Sequence, residues 1–329
     1  MHIPDGFLNG ATSAGTAVMA AGGLGLSIKR AGAYLQDSRI ALTGLVAAFA
    51  FALQMLNFPV GAGTSGHLLG GALAVILVGP WLGITAVGVV VIIQALLFAD
   101  GGITALGSNI LNIAVITGLV GWSVFRVMTR LLPKSWVSVM VATFTAGLVS
   151  MVASSVAFVI EYGVGGRGGV EIGTVFTAMV GVHFVIGIGE GLISAATVAA
   201  VGAARPELIA GLERTALSSR ETRPIRSGIW GFAASGLVVA ALLVLVAAPL
   251  ASSAPDGLER VAIDQGFVES AENHALSESP LADYDVGGVE DEATGTRVAG
   301  VVGVLVTFGI GAAIVGGFVV IRKRSATPV

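Results

Sequence analysis

The 329-residue sequence contains no cysteine. That excludes disulfides, thiolate metal sites and cysteine nucleophiles. Charge is also scarce: Asp, Glu, Lys and Arg make up 11% of residues, where a soluble domain carries about a quarter. Such a chain cannot cover itself with polar surface, and a lipid bilayer is its expected solvent. There is no Gly-x4-Gly-Lys-Ser/Thr, since Lys134-Ser135 follows Pro133 without the glycines. ATP therefore has no P-loop to bind. His-Glu-x-x-His is missing too, which leaves zinc peptidase chemistry without its motif. No basic residue precedes Lys29. The first apolar stretch thus lacks the positive region of a cleaved signal peptide, and Met1 is expected to stay on the mature protein.

What the sequence does have is apolar residues, 55% of the total, and 48 glycines. Mean hydropathy is +0.92. Glycine in membrane helices lets backbones approach closely. Nine apolar stretches can be marked off, at 7–28, 40–58, 67–78, 81–98, 110–125, 137–160, 172–201, 229–250 and 298–321. The third is short. The expected fold is an all-α polytopic membrane protein with nine transmembrane helices. Cytoplasmic loops are enriched in Lys and Arg. With the N-terminus outside and the C-terminus inside, the inner loops hold Lys29, Arg30, Arg39, Arg126, Arg130, Lys134, Arg205, Arg214, Arg220, Arg223, Arg226 and Arg322-Lys323-Arg324. That is 14 of the 17 Lys and Arg residues. Arg167, Arg260 and Arg297 fall outside. Three parts are expected: a seven-span unit at 1–204, an Arg-rich cytoplasmic linker at 205–228 with Pro206 and Pro224, and a two-span hairpin at 229–329. The hairpin encloses an acidic outer loop, 251–297, with eleven Asp and Glu residues. That loop either attracts cations or is simply solvated. Its start, Ala254-Pro255-Asp256-Gly257-Leu258-Glu259, reads as a turn into a short helix.

Four histidines remain as candidates for chemistry: His2, His67, His183 and His274. A free amine followed by histidine chelates by geometry. The Met1 amine and the His2 amide nitrogen close a five-membered ring on a metal, and that amide with the His2 Nδ1 closes a six-membered ring. A fourth nitrogen completes a square, the geometry of Ni(II) or Cu(II). Pro4 and Gly6 favour folding the tail back. His67, in Gly63-Thr64-Ser65-Gly66-His67-Leu68-Leu69-Gly70, sits on the same outer side and is the natural fourth donor. The bland alternatives are a disordered terminus and a helix-start histidine. His183 and Glu190 lie seven residues apart, on one face of the seventh span, with Glu190 the one acidic residue placed well inside a span. A structural or interface role is favoured for them over a proton relay.

Several separated motifs together resemble one family. Met1-His2-Ile3-Pro4-Asp5-Gly6-Phe7, Asn57-Phe58-Pro59-Val60, the Gly63–Gly70 run, Gly79-Pro80-Trp81, the run from Asp100-Gly101-Gly102 to Gly107-Ser108-Asn109, and His183 to Gly191 are similar to the CbiM/NikM family. These are substrate-capture (S) components of energy-coupling factor transporters for cobalt and nickel. The likeness covers about residues 1–204. It implies a seven-helix S-component bundle and a metal held by Met1, His2 and His67. It further implies a transmembrane coupling (T) subunit and two ATPase subunits as partners. Pro255-Asp256-Gly257-Leu258-Glu259 resembles the PDGLE-type (NikN-like) accessory component, here fused, which tilts the metal toward nickel. Cobalt for cobalamin biosynthesis is the alternative. The implied role is a transport subunit in the cell membrane, without its own ATPase or any enzymatic activity. No cofactor is expected beyond the transported Ni2+ or Co2+, and nucleic acid is not an expected partner. The rival of another class is an ATPase-independent secondary transporter or channel working through His183 and Glu190.

Overall fold

A computed structural model describes residues 1–31, 37–212 and 228–325. The linker residues Arg214, Arg220, Arg223, Pro224 and Arg226 lie outside the described residues. Helices dominate: α1 (Gly10–Ala31), α2 (Asp37–Gln54), α3 (Gly71–Val78), α4 (Pro80–Leu97), α5 (Leu106–Asn109), α6 (Thr117–Leu131), α7 (Trp136–Gly165), α8 (Ile172–Ala204), α9 (Ile229–Leu242), α10 (Gly257–Gln265) and α11 (Glu292–Ser325). A π-helical stretch, Ile110–Ile116, joins α5 to α6. Among the described residues seven helices are long and apolar enough to cross a membrane, and Arg39–Gln54 is a shorter apolar helix. Val18, Val137, Leu192 and Leu250 stand exposed on the exterior, as lipid-facing side chains must in a bilayer protein.

The helices pack through small residues. α7 turns Ser138, Ala142, Ala146, Gly147, Ser150 and Ser154 inward. A Cβ on Gly147 would stand 2.9 Å from Gly191 Cα of α8, so the two backbones touch there. α9 and α11 flank α2, which seats the C-terminal unit against the N-terminal one. At one end Arg39, Trp81, Arg126 and Arg130 line a cavity of about 560 Å³, and Arg30 stacks over Trp81. α1, about 33 Å long at 1.5 Å per residue, separates this basic end from the end that holds residues 1–9.

Two stretches differ from the expectations above. The expected third span, 67–78, is not one helix. Two strands, β1 (Phe58–Gly61) and β2 (Thr64–Gly66), pair antiparallel ahead of it. Ala62 and Gly63 both have positive φ, as a tight two-residue hairpin turn demands. The chain then runs without helix from His67 to Gly70, whose φ of 74° is left-handed. Only the eight residues of α3 are helical, and all eight are buried. Such a broken passage is tolerated at membrane depth where protein surrounds it. The expected sixth span stopped at 160, whereas α7 continues to Gly165. It thereby buries Glu161, which accepts from Asn112 Nδ2 at 3.0 Å. Glu190 is therefore not the one acidic side chain inside a span.

Candidate metal centre

Residues 1–9 enter the bundle as non-helical chain with a turn at Asp5-Gly6. Met1, Ile3, Phe7 and Leu8 are all buried. The backbone is fixed at each step. Ile3 exchanges two hydrogen bonds with Asn109, its N–H donating to Oδ1 at 2.8 Å and its carbonyl accepting from Nδ2 at 3.0 Å. Gly102 N–H also donates to the Ile3 carbonyl, at 2.9 Å. Asp5 accepts from Thr104 N–H at 2.7 Å and from the Thr104 hydroxyl at 2.6 Å. Gly6 turns the chain with φ 89°, and Asn9 caps α1 by accepting from Thr12 N–H at 2.9 Å. The tail is ordered because the run Asp100–Asn109 supplies donors and acceptors for its otherwise stranded peptide groups.

This places Met1, His2 and His67 together. The Met1 amine lies 2.6 Å from His67 Nε2, and the His2 and His67 rings stack with centroids 5.1 Å apart. His67 Nδ1 is 3.0 Å from the Leu68 carbonyl. A carbonyl only accepts, so Nδ1 carries the proton and the Nε2 lone pair faces the amine. Two nitrogens each about 2.0 Å from one ion and at right angles lie about 2.8 Å apart, close to the observed pair. His2 Nε2 is 3.2 Å from Gln94 Oε1 and Nδ1 is 3.3 Å from Asp100 Oδ1. Burial pushes the His2 imidazole down to about 4, against the pull of Asp100. The ring is neutral at physiological pH, as a metal ligand must be.

The acidic segment 251–297 folds over this site. Asp256 N-caps α10, Oδ1 accepting from Glu259 N–H at 2.9 Å. Its Oδ2 takes the Met1 ammonium at 2.6 Å. Burial alone would raise this carboxyl, but the ammonium and the His67 ring outweigh it and hold it well below the usual carboxylate range. The sequence showed a turn into a short helix at Pro255-Asp256-Gly257; nothing local in it pointed to the amine. Asp100 was read only as part of a family motif, and Gln94 and Tyr284 were not singled out.

His183 and Glu190 are both buried on α8, but Glu190 spends its oxygens on backbone, accepting from Leu69 N–H at 2.7 Å and Gly70 N–H at 3.1 Å. His183 Nδ1 bonds the Met179 carbonyl at 2.8 Å. Glu190 therefore holds the loop that follows His67, a structural task.

The depressed His2 pKa has a thermodynamic consequence. Between about 6.5 and about 4 the unfolded chain binds a proton at His2 that the folded chain refuses. Stability of the metal-free protein is complete above that window and lost as pH falls through it, by about 3 kcal/mol. Thermal melts in detergent from pH 7 to pH 4 should show this slope, and His2→Asn should flatten it. An unchanged slope in His2→Asn would place the titration elsewhere.

Residues 2–208 match the family model for the cobalt uptake substrate-specific transmembrane region, CbiM. Residues 230–322 match the PDGLE domain. A protein of Archaeoglobus fulgidus described as "Putative fused nickel transport protein NikMN" is 35% identical, covering 95% of this chain and 98% of its own. The fused nickel transport protein NikMN of Rhodobacter capsulatus is 31% identical, covering 94% and 96%. The crystal structure of a truncated transition metal transporter superposes with a TM-score of 0.54 at 30% identity, over 61% of this chain and 98% of that one.

Proposed function

We propose, because this chain belongs to the CbiM family of cobalt-uptake substrate-specific transmembrane proteins and carries a PDGLE domain behind it, that it captures Ni2+ outside the cell for ATP-driven import. It is a nickel/cobalt transport component. The finer reading is an S component of an energy-coupling factor transporter, with a coupling subunit and two ATPase subunits as partners. Co2+ for cobalamin synthesis is the alternative cargo, and the fused nickel transport relatives favour Ni2+. The ion is held by the Met1 amine, the His2 amide nitrogen and Nδ1, and His67 Nε2. The reading requires Met1 to be the free N-terminus.

The observation that carries this is the convergence of Met1 N and His67 Nε2 to 2.6 Å beside the stacked His2 ring, at a buried position. Binding releases protons from the amine and the amide, about two per ion, so affinity falls in acid. Copper would win on raw affinity, so selectivity comes from geometry or metal supply. The topology proposed is nine passages, N-terminus out and C-terminus in, with 205–228 as the cytoplasmic linker between a unit at 1–204 and another at 229–329.

Uptake of radioactive nickel by cells expressing the chain with its partner subunits tests the function. His67→Ala is expected to reduce uptake to the vector background. Uptake by the chain alone in proteoliposomes, without ATPases, would instead support a secondary transporter and overturn this reading.

A further inference from the structure

The C-terminal unit touches the metal centre at two points that the ligand set does not explain. The first is Asp256, whose single carboxylate caps α10 and holds the Met1 ammonium. The turn that carries it is fastened to the β-hairpin. Ser65 N–H donates to the Pro255 carbonyl at 2.9 Å, and the Ser65 hydroxyl donates to the Ala254 carbonyl at 2.6 Å. Ser252 N–H donates to the Asn57 carbonyl at 2.8 Å. Asp256 is thus locked over the amine by the hairpin that leads into His67.

The second is Tyr284. Its hydroxyl donates to Asp100 Oδ2 at 2.5 Å. Having spent its proton there, it accepts from Gln94 Nε2 at 3.0 Å. That bond turns Gln94 Oε1 toward His2 Nε2, 3.2 Å away. An amide oxygen only accepts, so Nε2 must carry the ring proton. Nδ1, the atom the chelate uses, is then the ring nitrogen left for the ion, and it lies 3.3 Å from Asp100 Oδ1. Tyr284 reaches this place from a backbone that bulky residues rarely adopt: φ is 58° there and 53° at Asp283. Its ring stacks on Phe98, centroids 4.9 Å apart, which fixes it in spite of that conformation. Backbone held in a sparsely populated region by its surroundings is a mark of functional placement.

We propose that the C-terminal unit positions the metal ligands of the N-terminal unit: Asp256 holds the Met1 amine beside His67, and Tyr284, through Gln94 and Asp100, fixes the His2 ring with Nδ1 free for the ion. The proposal rests on the metal-capture reading above. Asp256 remains useful after the ion arrives. A coordinated amine keeps N–H groups for the carboxylate to accept. A divalent ion bound to one deprotonated amide carries one positive charge, which Asp256 balances. Partners that orient ligands in this way change metal affinity by about 10- to 100-fold when removed.

The test uses full-length purified protein and titration with Ni2+, read by calorimetry and by the visible absorption of planar Ni(II). Asp256→Asn keeps the helix cap, because Asn caps as well as Asp, and removes both the charge and the oxygen that accepts from the amine. Tyr284→Phe keeps the stacked ring and removes only the hydroxyl. Each is expected to weaken Ni2+ binding about 10- to 100-fold, with Asp256→Glu recovering part of the loss. Histidine 15N shifts report the tautomer directly, and four histidines keep the spectrum simple. His2 should be protonated at Nε2 in the parent protein and mixed in Tyr284→Phe. His67→Ala in the same titration separates the two ideas. If it loses Ni2+ while Asp256→Asn and Tyr284→Phe bind like the parent, the positioning role is overturned and the metal centre stands. If His67→Ala also binds like the parent, the metal centre itself is overturned.

Discussion

Adding two residues ahead of Met1 is expected to reduce bound nickel from about one ion per chain to background, with an affinity loss of at least about 1,000-fold, or about 4 kcal/mol. The size follows from what the extension removes. The Met1 nitrogen becomes a peptide amide, so a donor is lost and the five-membered chelate ring with it. The remaining His2 donors then bind without the amine that brings them into one plane. The extension also has nowhere to go. Met1 is 3% exposed, and its nitrogen has His67 Nε2 and Asp256 Oδ2 each at 2.6 Å. Two more residues must push α10 and the hairpin apart, which costs further contacts. Elemental analysis of purified protein decides the matter, with the melting temperature of the metal-free protein as a check on folding. A folded, extended protein that still retains one nickel per chain would sink the amine as a ligand. The same extension should leave most of the acid slope assigned to His2 in place wherever the tail stays seated, because burial of the ring is its largest cause and the charge of the terminus a smaller one.

The sequence was most informative where chemistry is local. Met1-His2 can be read as a candidate chelate because ring sizes depend only on adjacent atoms. Hydropathy located the long spans because burial in lipid is a property of a whole helix. It failed at 67–78, where four residues of broken chain and eight of helix sum to the hydropathy of a short span. The left-handed Gly70 and the two-residue turn at Ala62-Gly63 leave no periodic trace. It failed again at Glu161, because a charge usually ends a span, while here Asn112 receives that charge inside the bundle. Asp256 was visible as part of a turn into a short helix and invisible as a partner of an amine 255 positions away. Tyr284 offered no signal at all: its role comes from a relay through Gln94 and Asp100 that only the folded chain assembles. What the sequence could not reveal is the set of contacts that bring Asp256 to Met1 and Tyr284 to Gln94 and Asp100.

Glu190→Ala is expected to cost about 2–6 kcal/mol of stability, because two buried backbone N–H groups lose their acceptor at about 1–3 kcal/mol each. Glu190, 1% exposed on α8, takes the N–H groups of Leu69 and Gly70, the loop residues just ahead of α3. Gly70 stands there with φ 74° and offers no side chain of its own. Loss of this acceptor frees the loop two residues beyond His67, so Nε2 drifts from the Met1 amine and Ni2+ affinity falls in parallel with stability. Glu190→Gln keeps one oxygen acceptor but turns an NH2 group toward an N–H donor, so its effect should be intermediate on both measures. A proton relay would behave differently: Glu190→Gln would abolish uptake while leaving the melting temperature and the nickel titration untouched. Coupled losses of stability and binding, graded from parent through Gln to Ala, are the result expected of a carboxylate that fixes the loop behind a proposed metal ligand.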